Sequence, residues 1–202
     1  MGLTLYGTSQ SRALRSVWAM EETGAAYEHV PTHFAQDTKT PDYGTINPNR
    51  RVPALVDGET KLFESMAINL YLAKNYAKHL YPSDSAAEAQ VLQWSVWGIA
   101  EIEPLQMQIV VQKFFLPEDK RDAGVVARAE KGLARPLDVL NSALDGRDWL
   151  VGNEFSIADL NVAAVMLLLE MIRFDLSAWP NVERWIAASY ARPALQQARA
   201  RG

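Results

Sequence analysis

The sequence contains no cysteine among its 202 residues, which excludes disulfides, thiolate metal sites and a cysteine nucleophile. Its three histidines form no ligand cluster with carboxylates, so we expect no metal site. Basic residues are not in excess, because 20 lysines and arginines against 24 acidic residues leave a net charge of −4. Nucleic-acid-binding proteins present basic patches, so this balance argues against a nucleic-acid partner. The lack of cysteine fits a reducing compartment, and we expect a cytoplasmic protein.

Long hydrophobic runs are also missing. The most apolar stretch, VAAVMLLLEMI at residues 162–172, is shorter than the roughly 18 residues that cross a bilayer. The opening MGLTLYG has neither the basic region nor the apolar run of a signal peptide. We therefore expect no membrane segment and interpret residues 162–172 as a buried helix.

The first third of the chain predicts the order β-α-β, loop, β-β-α. LTLYG alternates like a strand, and a helical spacing begins at Arg12 and stops at Gly24. Pro31 lacks a backbone donor, so the weaker strand AYEHVPTHF is expected at a sheet edge. Asp57-Gly58 between two short apolar segments favours a tight hairpin turn.

The stretch YPSDSAAEA interrupts this pattern, and only helical spacing follows it. The sequence therefore predicts an α/β unit at residues 1–80, a linker at 81–87 and an all-helical unit at 88–202. Within the helical unit, Ser156 and Asp159 stand three apart before the apolar run, as in a capping box with Asp in place of Glu or Gln. We assign this pair to folding and not to catalysis.

Three hydroxyl residues, Thr8, Ser9 and Ser11, separate the first strand from the first helix, and Arg12 and Arg15 follow them. A helix N-terminus exposes unpaired N–H groups and carries about half a positive charge. Together with hydroxyl donors, it suits an anion. No base is evident for a serine nucleophile, so we interpret the hydroxyl as a donor to a group that is already anionic. The alternative is that Ser9 or Ser11 only caps the helix.

Two further motifs flank the predicted hairpin. In INPNRRVPALVDG, Val52-Pro53 stands before a strand, where an edge could receive an extended peptide through backbone bonds. The alternative is a plain junction of loop and strand. In LFESMAINLYL, Ser65 and helix N–H groups could hold a carboxylate while Glu64 holds an ammonium. The alternative is that Ser65 is an N-cap and Glu64 favours the helix start.

By their order and spacing, the segments LYGTSQSRALRSV, NPNRRVPALVDG, LFESMAINLYLA and VGNEFSIADL resemble the glutathione transferase family over nearly the whole chain. The resemblance implies a thioredoxin-like N-terminal domain, a helical-bundle C-terminal domain with the electrophile site, and a homodimer. It implies a detoxification enzyme that conjugates the glutathione thiolate to an electrophilic small molecule, without a metal. The alternatives are a glutathione-dependent peroxidase or disulfide reductase, and a non-enzymatic binding protein that keeps the fold.

The resemblance also implies which residues contact glutathione. Ser11, followed four residues later by Arg15, matches the serine that binds the glutathione sulfur in the theta and phi classes, with Ser9 and Thr8 as alternatives. Val52 matches the residue whose backbone pairs with the cysteinyl unit, and Pro53 after it is expected to be cis. Glu64 and Ser65 match the pair that binds the γ-glutamyl end. Lys39 and Arg51 match positions that approach the glycine end.

The chain departs from the family pattern at Arg50, and the pattern specifies the electrophile site only weakly. Many relatives have glycine where this chain has Arg50, so the loop backbone is expected to differ there. The candidates for the apolar wall of the electrophile site are Trp94, Trp97, Met107 and Phe114. For each of these four residues, helical spacing alone favours a contact in the core or at a dimer interface.

Overall fold

The structure is a computed structural model that describes residues 2–201. The Cα trace forms two compact units. The first runs to Ser83 and also includes the chain from Ala191 onward, and the second is Asp84–Tyr190.

A four-stranded sheet forms the base of the first unit. Its strands are β1 (Leu3–Tyr6), β2 (Tyr27–Val30), β3 (Ala54–Asp57) and β4 (Thr60–Phe63). They lie in the order β2-β1-β3-β4, with β2 parallel to β1 and the other two pairs antiparallel. The expected edge position of β2 and the expected hairpin between β3 and β4 are therefore confirmed.

Helices account for most of the other regular structure in residues 2–201. In chain order they are α1 (Ala13–Thr23), α2 (Pro41–Gly44), α3 (Ser65–Tyr76), α4 (Ser85–Trp97), α5 (Glu103–Val110), α6 (Ala123–Ala143), α7 (Ile157–Ile172), α8 (Pro180–Tyr190) and α9 (Pro193–Ala200). Single π-helical turns at Gly98–Ile102 and Val111–Phe115 stand directly before and after α5. As predicted, no strand follows β4 in this range.

Apolar side chains from strands and helices form the core of the first unit. Leu5 and Leu55 from the sheet, Trp18 from α1, and Ile68 and Leu72 from α3 have no exposed surface. Helix α1 packs against α3 and α9. The helix stop predicted at Gly24 is confirmed, since Gly24 has a φ of 64° and ends α1.

Ion pairs join the segment from Ala191 onward to the rest of the first unit. Arg192 donates to both carboxylate oxygens of Glu22, at 2.6 and 2.7 Å. Arg201 pairs with Glu21 at 2.5 Å and lies over the ring of Tyr27, 4.8 Å from its centre. The segment from Ala191 onward therefore groups with the first unit, whereas we expected it within residues 88–202.

The predicted linker at residues 81–87 is also shorter in the structure. Helix α4 begins at Ser85, and the Asp84 carboxylate caps it by accepting from the N–H of Ala87 at 2.9 Å. The remaining domain boundaries stay predictions.

Helix α7 is the central element of the second unit. It contacts α4, α5 and α8, and α6 packs on α5 and α8. Most of α7 is buried, as predicted for residues 162–172. Among residues 2–201, no helix combines the length and the apolar character that a bilayer crossing requires.

The predicted capping box at the start of α7 is confirmed. Asp159 Oδ2 accepts from the backbone N–H of Ser156 at 3.0 Å and from its hydroxyl at 2.8 Å. Asp159 Oδ1 accepts from the N–H of Leu150 at 2.8 Å and from Nε1–H of Trp185 at 2.9 Å. Burial raises the pKa of Asp159, and the four hydrogen bonds act in the opposite direction.

Candidate functional site

Strand register brings the three N-terminal motifs to one end of the sheet. Tyr6 pairs with Ala54, and Ala54 pairs with Phe63, so these residues form a row across β1, β3 and β4. The hydroxyl turn follows the first of them, Pro53 precedes the second and Glu64 follows the third. Adjacent strands are about 4.8 Å apart, so the motifs extend over roughly 10 Å, the length of about three extended residues.

Gly7 lets the chain close tightly at this end of the sheet. Its φ is 138°, and a Cβ there would lie 2.3 Å from Ala13 Cβ and 3.4 Å from Val52 Cβ. Any side chain would therefore push the start of α1 away from the end of β1. Glycine at this position keeps the hydroxyl turn next to Val52.

His29 holds the same turn from the neighbouring strand. Its Nε2 lies 2.8 Å from the carbonyl oxygen of Gly7, and since that oxygen can only accept, Nε2 carries the proton. The N–H of Gly7 donates to the carbonyl of Val30 at 3.1 Å. Sequence reasoning argued against His29 as a metal ligand but could not show this contact, because the contact depends on the pairing of β1 with β2.

The three hydroxyls of the turn differ in their bonding. Ser11 Oγ donates to the carbonyl of Thr8 at 2.8 Å and accepts from the N–H of Ala13 at 3.1 Å. The hydroxyls of Thr8 and Ser9 make no hydrogen bond to another residue of 2–201. Ser11 thus supports the start of α1, although Arg12 holds the N-cap position without a side-chain cap bond.

Val52 presents unpaired backbone groups next to this turn. The Val52-Pro53 bond is cis, as expected. Within residues 2–201, neither the N–H nor the carbonyl of Val52 makes a hydrogen bond. The preceding carbonyl, of Arg51, accepts from the hydroxyl of Tyr43 at 2.8 Å and from Nδ2 of Asn47 at 2.7 Å. Sequence reasoning missed both donors.

Arg50 takes up the backbone conformation that glycine favours, with a φ of 51°. For a residue with a side chain, this conformation costs roughly 1 kcal/mol or more. Its Nη1 donates to the carbonyl of Lys39 at 3.1 Å, which ties the loop to the 3₁₀ turn Asp37–Lys39. Lys39 and Arg51 are both exposed cations.

Glu64 is strained at the start of α3. Its φ of 69° and ψ of 115° fall in a region that residues with side chains rarely occupy. Glu64 takes the N-cap position but makes no side-chain cap bond, and Ser65 is the first residue of the helix. The alternative that Ser65 is an N-cap is therefore wrong. Strained residues of this kind concentrate at functional sites, which makes Glu64 a candidate for ligand contact.

The four residues proposed for an electrophile belong to the second unit. The rings of Trp94 and Trp97 meet edge to face on α4, with centres 5.1 Å apart. Met107 is half-buried on α5, and Phe114 is 55% exposed in the π-helical turn after it. Its neighbour Phe115, which sequence reasoning missed, is 62% exposed. No cluster of three metal-ligating side chains occurs within residues 2–201.

Comparison with known proteins identifies the family. Residues 1–74 match the model of the glutathione S-transferase N-terminal domain, and residues 102–193 match that of the C-terminal domain. Glutathione S-transferase 3 of Zea mays is 35% identical over 205 aligned residues, which cover 96% of this chain and 92% of the relative. The chain belongs to the glutathione S-transferase family.

Solved structures of this family agree with the fold. One is glutathione S-transferase I bound with lactoylglutathione, with a TM-score of 0.89, 32% identity, and 99% of each chain covered. Another is a glutathione transferase from Burkholderia graminis with two glutathione molecules per subunit, with a TM-score of 0.87 and 30% identity, covering 98% of this chain and 87% of the other. The predicted class, a thioredoxin-like domain followed by a helical domain, is confirmed.

Proposed function

We propose that the protein is a glutathione transferase that binds glutathione at this sheet end and conjugates its thiolate to an electrophilic small molecule. The observation that carries the proposal is the row Tyr6, Ala54 and Phe63. It brings a helix start suited to an anion, an unpaired backbone edge and a strained acidic residue within the reach of one short peptide. Family membership supports the same reaction.

Ser11 is the proposed donor to the sulfur. A free thiol has a pKa of about 8.5, and lowering it by two units requires about 2.7 kcal/mol of additional stabilisation of the thiolate. A thiolate is a stronger acceptor than the Thr8 carbonyl, so the Ser11 hydroxyl would turn toward it while still accepting from Ala13. The start of α1 adds positive potential to that bond.

The remaining groups fit the rest of glutathione by charge and geometry. The unpaired N–H and carbonyl of Val52 suit an antiparallel pairing with the cysteinyl unit. Glu64 suits the ammonium of the γ-glutamyl end, and Ser65 with the N-terminus of α3 suits its carboxylate. Lys39 and Arg51 offer positive charge to the glycine carboxylate.

We assign the apolar contacts of the electrophile to the second unit, at Trp94, Trp97, Met107 and Phe114. Aromatic and thioether side chains suit an apolar or aromatic electrophile. A cytoplasmic detoxification role and a homodimer are the family expectations. The homodimer is supported by Leu92, Val96 and Ile99, exposed apolar residues at helical spacing on and just after α4.

A second candidate is a glutathione-dependent disulfide reductase. It is favoured by the two glutathione molecules bound per subunit in the Burkholderia graminis relative. Such a reaction consumes two glutathione molecules and one disulfide, and it yields two thiols and glutathione disulfide. The absence of cysteine in this chain requires glutathione to supply both sulfurs.

The proposal is tested by the titration of bound glutathione. Ultraviolet thiolate absorbance is measured against pH for the wild type and for Ser11→Ala, Ser9→Ala and Thr8→Val. We expect only Ser11→Ala to raise the thiol pKa and to lower turnover with a halogenated aromatic substrate. This variant should stay folded, with a melting temperature lower by about 2–4 °C, because the N–H of Ala13 loses its acceptor.

Three other results would change the assignment of the sulfur donor or the proposed function. An unchanged titration in Ser11→Ala with a raised pKa in Ser9→Ala would move the role to Ser9. A wild type that does not bind glutathione at millimolar concentration in calorimetry would overturn the proposed function and favour the non-enzymatic alternative. Turnover with disulfides but not with halogenated aromatics or epoxides would favour the reductase.

A further inference from the structure

The Arg51 carbonyl is fixed by two donors from a neighbouring segment. The Tyr43 hydroxyl and the Asn47 side-chain amide both donate to it, at 2.8 and 2.7 Å. Both donor residues are buried, with 5% and 2% of their surface exposed. The carbonyl is therefore held from the protein interior, although Arg51 itself is exposed.

The orientation of this carbonyl sets the orientation of Val52. The cis bond of this segment is Val52-Pro53, so the bond between Arg51 and Val52 is trans. In a trans peptide the six atoms lie in one plane, and the N–H points opposite to the C=O. When the carbonyl is held toward Tyr43 and Asn47, the Val52 N–H must point away from them.

The two donors are themselves fixed. Asn47 Oδ1 accepts from the N–H of Asn49 at 2.9 Å, which leaves its Nδ2 to face the Arg51 carbonyl. The ring of Tyr43 meets Tyr6 edge to face, with ring centres 6.1 Å apart. Burial, with a smaller contribution from Tyr6, raises the pKa of Tyr43 to about 12, so its hydroxyl remains a donor at neutral pH.

We propose that Tyr43 and Asn47 are positioning residues for glutathione, which fix the Arg51–Val52 peptide so that the Val52 backbone is oriented to pair with the ligand. The inference rests on the proposed function, because it assumes that Val52 pairs with the cysteinyl unit. The two residues affect how the peptide backbone of glutathione is bound and not how its sulfur is stabilised. Their loss should therefore weaken every ligand that shares this backbone.

The main test compares Tyr43→Phe with the wild type. This variant keeps the buried ring and removes one donor. We expect the dissociation constants of glutathione and of S-methylglutathione, measured by calorimetry, to rise by the same factor of about five, the usual effect of one neutral hydrogen bond. The KM for glutathione should rise by a similar factor, with kcat and the pKa of the bound thiol unchanged.

The matched control is Tyr71→Phe. Tyr71 also donates its hydroxyl within the first unit, to Asp57 at 2.7 Å, but Asp57 lies at the other end of the sheet from the site. We expect this variant to bind both ligands as the wild type does. Asn47→Asp is the second test variant, since it removes the Nδ2 donor but keeps an acceptor for Asn49, and we expect it to weaken both ligands.

The outcomes separate the inference from the proposed function. If the wild type binds glutathione but Tyr43→Phe and Asn47→Asp bind both ligands within twofold of it, the inference is overturned and the proposed function stands. A raised thiol pKa in Tyr43→Phe with unchanged binding of S-methylglutathione would also overturn it. A wild type that binds neither ligand overturns the proposed function and the inference with it.

Discussion

Helices α3 and α7 begin with the same two residue types, a serine and an acid, but use them in opposite ways. At α7, Asp159 is buried and accepts four hydrogen bonds, two of them from Ser156. At α3, Glu64 is exposed, strained and without a cap bond, and the Ser65 hydroxyl makes no hydrogen bond to another residue within 2–201. At α7 the hydrogen bonds of the helix start stabilise the fold. At α3 the polar side chains of the helix start lack such bonds within residues 2–201, which suits a ligand.

The largest effect should come from removing the Asp159 carboxylate at the start of α7. Asp159→Ala leaves the N–H groups of Leu150 and Ser156 and the indole N–H of Trp185 without a partner. Because each buried group left unpaired costs about 1–3 kcal/mol, we expect a loss of about 4 kcal/mol in the free energy of unfolding. Urea denaturation measures it, and a loss below about 1 kcal/mol would mean that the comparison of the two helix starts is mistaken.

In contrast to Asp159, Glu64 should matter mainly for glutathione binding and less for the free energy of unfolding. Charged hydrogen bonds contribute about 1.5–3 kcal/mol, so Glu64→Ala should weaken glutathione binding about tenfold or more. Glu64→Gly should weaken binding equally but be more stable than the alanine variant, because glycine tolerates the positive φ. Calorimetry and thermal unfolding measure both quantities. Unchanged affinity in both variants would assign Glu64 to the fold alone.

The two serines provide a matched pair of substitutions. Ser156→Ala should cost about 1 kcal/mol of unfolding free energy and leave glutathione affinity unchanged. Ser65→Ala should change stability by less than about 0.5 kcal/mol and weaken glutathione binding about fivefold. The comparison fails if the two variants exchange these effects in denaturation and calorimetric titrations.

The smallest effect is expected at Arg50, which is strained like Glu64. Arg50→Gly and Arg50→Ala both remove the bond to the Lys39 carbonyl, but only glycine relieves the positive φ. We expect the glycine variant to be more stable by about 0.5 kcal/mol, with equal glutathione affinity in both variants. Unequal affinities would show that the backbone at Arg50, and not only its side chain, affects the site.

Sequence reasoning recovered local features best. The hairpin at Asp57-Gly58, the helix stop at Gly24 and the capping box at Ser156 each depend on residues within a few positions of one another. The family motifs are also local segments, recognised by their order along the chain. For the same reason, the boundary of the second unit was missed at its far end, since the bond between Arg192 and Glu22 joins residues 170 positions apart.

The sequence alone determined which residue types stand at the strand ends and helix starts, because turn, cap and proline preferences act over short distances. The resemblance of its ordered motifs to a known family then indicated the fold class and the candidate residues. Only the tertiary structure decided that Tyr6, Ala54 and Phe63 share a row, that His29 holds Gly7, and that Tyr43 and Asn47 hold the Arg51 carbonyl. Those contacts depend on strand register and on the packing of distant segments, which local preferences do not encode.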